Sequence, residues 1–374
     1  MVELNERVRA WSYHRQRLGR AAPGIARALD DVVAVYATQP GAILTLAARA
    51  ADLQADDFRR LDLDRTAVRL PAMRGSSHLI PTVTAPTVFA ATRRPTEAMA
   101  WMWRGVGLSE ADYDRVRSAI LAVARTPLSV PELRRHVTGD AATLLARHPQ
   151  APTMVVRAMR TEGSLVAVGP TGLRSNAYAY VATDAWLGAP LEPVDPDGAL
   201  AWLAGEYLRA FGPARVADFS WWAGSTLRRA SAAIEAQPTV ELEGGLLLLS
   251  ADRDAFEATR PLDPDSVDLL PLWDMYTMGY APDGRDRLVG PVHLDRAYTS
   301  GDGRGLVLRA GVAVAAWGVR FAGRRMEVRL DVFDAPAAGL RRAIDEELGR
   351  AATLLDAVDV AVVEGPMRGR TGWG

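Results

Sequence analysis

The chain has 374 residues, 49% of them hydrophobic, a formal net charge of −1 and no cysteine. That is apolar material for roughly two to four domain cores, and it excludes disulfides, thiolate metal sites and a uniformly basic nucleic-acid binder. Five histidines (His14, His78, His136, His148, His293) are scattered without metal-ligand spacing, so no metal and no other cofactor is expected.

The start, MVELNERVRAW, is charged and lacks the apolar run of a secretory leader. No apolar stretch is long enough to span a bilayer, and a cytoplasmic, nucleoid-associated monomer is the expectation. The first segment predicts helices near 3–20, 23–36, 40–51 and 55–62, then a strand, a turn at Gly75 and a second strand in TAVRLPAMRGSSHLI. TRRPTE at 92–97 reads as a linker. SEADYDRVRSAILAVARTP follows with helical spacing, Ser109 as N-cap, Glu110 in the first turn and Pro127 as its end. SVPELRRHV predicts a short helix capped by Ser129, and APTMVVRAMRTEG a third helix ending at Gly163. Two strands in SLVAVGPTGLRSNAYAYVA turn at Pro170 and Gly172.

Three helices followed by a hairpin is the order of a winged helix, a helix-turn-helix variant. The order returns in DGALAWLAGEYLRAFGPARVADFSWWAGSTLRRASAAIEA, broken at Gly212-Pro213 and Gly224, with TVELEGGLLLLS as its hairpin around Gly244-Gly245. After LDPDS, alternating strands turn at Gly311 and Gly323, and the helix AGLRRAIDEELGRAATLLD precedes a last strand, AVDVAVV. The expected fold is therefore helix-rich α+β: tandem winged helices at 1–95, 96–190 and 191–262, then a strand-rich α+β domain at 263–374.

Four motifs carry a family resemblance: AMRGSSHLIP (72–81), PARVADFSWWAGSTLRRA (213–230), LLPLWDMYTMGYAPDGRDRLV (269–289) and VAAWGVR (314–320). With them, in this order over nearly the whole length, the chain resembles the AlkZ-type winged-helix DNA glycosylase superfamily. The resemblance implies three winged helices in a C around a DNA-sized channel. It also implies removal of alkylated or crosslinked bases from double-stranded DNA by cutting the N-glycosidic bond. In that family a Gln-x-Gln or Gln-x-Asp pair near the start of an early helix positions the water. The matching segment is VVAVYATQPGAILTLAAR. With Pro40 as anchor the two positions fall on Tyr36 and Thr38, and a shift of one residue brings in Gln39; these three are the catalytic candidates. The alternative reading of Tyr36-Ala37-Thr38-Gln39 is a turn in which Thr38 caps the next helix.

Candidate DNA contacts follow from chemistry. Arg74-Gly75 at a hairpin tip exposes a guanidinium and lets backbone come close, and Ser76, Ser77 and His78 offer donors to phosphate; the alternative is an ordinary hairpin whose His78 makes a satisfied interior contact. Arg15, Arg17 and Arg20 cluster near the start; throughout the chain all 44 positive residues are arginine. Arg285 and Arg287, beside a glycine turn, are candidates to reach a groove or hold phosphates; the alternative is a solvated hairpin in which Asp283 and Asp286 neutralise them. Phe219, Trp221 and Trp222 read as core aromatics more readily than as stacking platforms. Asp274 reads as a catalytic support or as the cap of its own turn. A non-catalytic DNA-binding protein is the competing function, although its candidate recognition helix carries only Arg157 and Arg160.

Overall fold

The computed structural model describes residues 2–169, 172–191, 194–299, 301–334, 339–369 and 371. The turn residue Pro170 lies outside them. No helix among the described residues is long and apolar enough to cross a membrane. The chain forms two compact units, 59–203 and 1–58 with 204–374. This division differs from the four consecutive segments at 1–95, 96–190, 191–262 and 263–374. The fold is a helix-rich mixture of helix and sheet with a strand-rich C-terminal region.

In the unit 59–203, the hairpin Ala67–Pro71 with Ser77–Pro81 pairs Leu70 with His78 and Arg69 with Leu79. Arg69 also faces Ala167, joining this hairpin to a second one, Leu165–Val168 with Ala179–Ala182. The helix Glu110–Val123 starts at a reciprocal cap. The Ser109 hydroxyl accepts from the Asp112 N–H, and the Asp112 carboxylate accepts from the Ser109 N–H. Helix Val130–His136 repeats the device with Ser129 and Glu132. Both caps sit where the sequence places them. An additional helix, Gly139–Ala146, was not expected between Val130–His136 and Ala151–Thr161. The buried faces of these helices share one core, in which Trp103 stacks on Tyr113 at 4.3 Å. Leu128 bridges to Tyr180, a minimal third strand beside the hairpin.

In the other unit the expected helix at 3–20 is Val2–Arg15. It packs far along the chain rather than with its sequence neighbours. Val8 and Trp11 share a core with Leu248 and Phe256, and Trp11 meets Phe256 edge-on at 5.8 Å. That places the helix on the hairpin Thr239–Leu242 with Leu246–Leu249. Here Ala214 bridges to Leu247 as Leu128 does to Tyr180 in the other unit. Tyr207, Phe211, Phe219 and Trp222 form a buried aromatic cluster with centroids 5.1–6.4 Å apart, so Phe219 and Trp222 are core.

Five strands make the C-terminal sheet, in the order 359–364, 325–332, 312–322, 305–309, 267–270. Its pairs are antiparallel except 325–332 with 359–364. Gly311 and Gly323 turn it with positive φ, as the alternation pattern requires. Helix Leu340–Leu354 buries Ile344, Leu348 and Ala351.

Candidate functional site

The expected helix 23–36 stops early, at Asp31, and Val33 adopts φ 70°. The chain then runs extended through Val35–Tyr36 before helix Gly41–Ala47 begins. Extended backbone alternates its side chains. Val35, Ala37 and Gln39 are accordingly buried, whereas Tyr36 and Thr38 are half-buried and share the opposite side. The anchor at Pro40 thus pairs the two accessible residues, and Gln39 faces inward. Pro40 is the N-cap of the following helix and no side chain caps it. The reading of Thr38 as a helix cap is corrected: its carbonyl accepts from the Ala42 N–H at 2.9 Å, while its hydroxyl is not used by the helix end.

Opposite this segment lies the loop Pro271–Trp273. A Cβ on Gly41 would sit 3.4 Å from the Leu272 carbonyl oxygen, so helix and loop touch through backbone. Trp273 has φ 61°, and its ring meets that of Tyr36 at 6.0 Å, tilted by 39°. The next residue anchors the loop. Asp274 and Arg49 are both fully buried and form a two-fold ion pair at 2.8 and 2.9 Å. Arg49 also donates to the Thr45 carbonyl at 2.8 Å and to Gln16 Oε1 at 3.0 Å. Asp274 accepts from the Tyr276 N–H at 2.8 Å. Its carboxylate is fully occupied by structure, which favours the turn-capping reading over a catalytic one. Trp317 completes the wall, its Nε1–H donating to the Leu270 carbonyl at 2.7 Å. Together these groups enclose a cavity of about 290 Å³ lined by Thr38, Gln39, Leu272, Trp273 and Trp317 among others.

The cavity lining includes two hydroxyl residues, Thr38 and Thr371, and the amide residue Gln39, but no carboxylate or imidazole. Among the described residues there is no group of three or more His, Asp or Glu poised for a metal ion. Such a site can hold and orient a water molecule; it has no strong general base.

At the hairpin tip, Arg74 and Gly75 both take left-handed backbone, φ 56° and 72°. The guanidinium of Arg94 lies against Gly75 and donates to the Arg74 carbonyl at 3.0 Å. The half-buried Arg74 and the exposed Gly75 and Arg94 thus meet at one corner. Ser76 is half-buried, and Ser77 Oγ accepts from Arg160 Nη2 at 2.8 Å. His78 is corrected: it is fully buried, its Nδ1 bonds the Ser76 carbonyl at 2.9 Å, and burial pulls its pKa down to about 4. A neutral, enclosed imidazole contacts no phosphate. Of the two arginines of helix Ala151–Thr161, Arg157 is exposed and Arg160 is half-buried. Arg157 lies over Trp101 at 5.6 Å, and Arg160 turns under the sheet towards Tyr180 and Ser77.

The N-terminal arginines are tied into ion pairs. Arg15 donates to the Arg209 carbonyl at 2.9 Å and pairs with Asp252 at 3.3 Å. Arg17, Arg27 and Arg209 converge on the buried Asp31, and Arg20 pairs with Glu347. Arg17 remains 39% exposed at its side chain and Arg20 32%, so each keeps an accessible edge. Arg285 is corrected outright. It is buried between Trp221 and Tyr298, with its guanidinium carbon 4.7 and 4.2 Å from the ring centres, and it donates to the Tyr280 and Gly301 carbonyls. Arg287 stacks on Tyr280 at 3.5 Å and donates to the Pro213 carbonyl. The alternative reading, neutralisation by the neighbouring acids, does not hold for Asp283, which pairs with Arg215 instead.

Sequence reasoning missed Trp273 and Arg94. The motif LPLWDMY marked the first, but nothing local shows that its ring meets Tyr36 across 237 positions (273 − 36). Arg94 lay in a segment read as a linker.

The family model described as DNA glycosylase AlkZ-like matches residues 29–354. Among solved structures, the DNA glycosylase AlkZ of Streptomyces sahachiroi superposes with a TM-score of 0.75 at 20% identity, covering 96% of this chain and 99% of that one. No curated protein matches the chain.

Proposed function

The chain belongs to the AlkZ-like DNA glycosylase family, and on that footing we propose that it hydrolyses the N-glycosidic bond of cationic or bulky N-alkylated bases in double-stranded DNA, acting as a monomer without a cofactor. The observation that carries this reading is the pairing of Tyr36 and Thr38 on one half-buried side of an extended segment, beside a preformed cavity.

A base alkylated to a cation is already a good leaving group, and the bond breaks through an oxocarbenium-like state. The protein's tasks are then to place a water and to favour positive charge on the sugar. Thr38 Oγ holds the water through a hydrogen bond. The Tyr36 ring, backed by Trp273, presents a π face to the developing cation. Because the electrophile is cationic, water attacks with its proton leaving to solvent, and no strong base is required. The Streptomyces glycosylase with the same fold is consistent with this activity.

The test is release of 7-methylguanine from alkylated duplex DNA. The wild type releases it, and Thr38→Val reduces kcat by at least tenfold while the variant still binds DNA. Absence of release by the wild type at any enzyme excess overturns the reading. One observation favours the second reading, a non-catalytic DNA-binding protein: Tyr36-Ala37-Thr38 stands where the Gln-x-Gln or Gln-x-Asp pair is expected. Salt-sensitive DNA binding without base release is its signature. A sequence-reading regulator is disfavoured, because the candidate recognition helix carries only Arg157 and Arg160 and Arg160 is engaged within the protein.

A further inference from the structure

The described cavities differ in chemistry. The one at helix Leu340–Leu354, about 590 Å³, is rimmed by Arg20, Glu346, Glu347 and Arg350. Another in the unit 59–203, about 570 Å³, is rimmed by Arg117, Arg125, Glu162 and Asp184, which pair with one another. The cavity beside Thr38 has no charged side chain in its lining. A phosphate or carboxylate would find no cation there, and burying an unpaired charge is prohibitive. Its walls are Pro40, Leu44, Leu272, Trp273, Trp317 and Val319.

The walls are also held in advance of any ligand. Trp317 is fixed by its hydrogen bond to Leu270. The loop bearing Leu272 and Trp273 is pinned by the Arg49–Asp274 pair and by backbone contact at Gly41. On the last side the chain comes back over the strand: a Cβ on Gly318 would lie 1.8 Å from the Thr371 carbonyl oxygen, so only glycine admits that approach. A preformed apolar cavity binds without the ordering penalty of a flexible one. At about 290 Å³ it lies at the small end of ligand sites, the size of one ring with a short link.

We infer that this cavity is a binding site for an uncharged aryl or aralkyl substituent carried by the damaged base, seated between Trp273 and Trp317 while the base lies at Tyr36 and Thr38. The inference rests on the glycosylase reading for the origin of the ligand; the cavity's preference for a neutral ring does not. It makes the substituent, rather than the purine, the part of the lesion that this site selects.

The test uses the full chain and two free bases, 7-benzylguanine and 7-methylguanine, titrated by calorimetry. The benzyl compound binds at least tenfold more tightly, because it buries a whole ring. Val319→Phe, which fills the cavity, abolishes at least nine-tenths of that advantage, and Val292→Ala, at an exposed position outside the cavity, preserves it. Equal affinity of the two bases in the wild type overturns the inference even if no variant folds. So does a benzyl preference that survives Val319→Phe. The result also separates from the proposed function. Preferential binding of 7-benzylguanine by a protein that excises nothing keeps the cavity assignment and removes the glycosylase reading. Equal binding by a protein that releases 7-methylguanine does the reverse.

Discussion

Replacing Asp274 by alanine leaves Arg49 with its charge intact and 0% of its side chain exposed. Of four hydrogen bonds made by that guanidinium, the two to Asp274 vanish, and the Thr45 carbonyl and Gln16 Oε1 remain. Both survivors are neutral. Breaking a buried pair from one side costs about 3–5 kcal/mol, and the lost acceptor for the Tyr276 N–H adds about 1 kcal/mol. Arg49→Met with Asp274→Ala removes the stranded charge, so the double variant is less destabilised than the sum of the singles by about 2–3 kcal/mol. Urea denaturation of the four proteins, followed by tryptophan fluorescence, measures the cycle. Additive singles, or an Asp274→Ala loss under about 1 kcal/mol, would refute the anchoring role. If Asp274→Asn kept full stability but lost all base release, the carboxylate would belong to the chemistry after all.

His78 stays neutral when folded, at a pKa of about 4 against an ordinary 6.5. The unfolded chain therefore takes up a proton that the folded one refuses. The stability from this neutral form is complete above about pH 6.5 and falls by about 3 kcal/mol as the pH drops towards 4; His78→Leu flattens this part of a pH series of melting curves. Arg285→Met removes a cation sandwiched by Trp221 and Tyr298 and destabilises by about 2–4 kcal/mol. Its DNA affinity at low salt stays unchanged, and a weakened complex would return Arg285 to the DNA-contacting set. At the hairpin corner the double variant Arg74→Ala with Arg94→Ala reduces the slope of log affinity against log salt by about 2, measured by fluorescence anisotropy; an unchanged slope removes that corner from the interface.

What the sequence alone determined is local. The caps at Ser109 and Ser129, the turns at Gly311 and Gly323 and the alternating C-terminal strands depend on residues a few positions apart, so their signals were complete in the chain itself. The family resemblance likewise led to the segment holding Tyr36 and Thr38. Tertiary structure decided which charged and polar side chains are used up internally. An arginine reads the same whether it is exposed at a hairpin tip, as near Arg74, or clamped between two rings, as Arg285 is. His78 and Asp274 were ambiguous for that reason, and burial resolved both. Helix Val2–Arg15 finds its apolar partners at Leu248 and Phe256, and Arg49 finds its acid 225 positions away. Hydrophobic burial and ion pairing act through space, so such partners become legible only once the chain has folded.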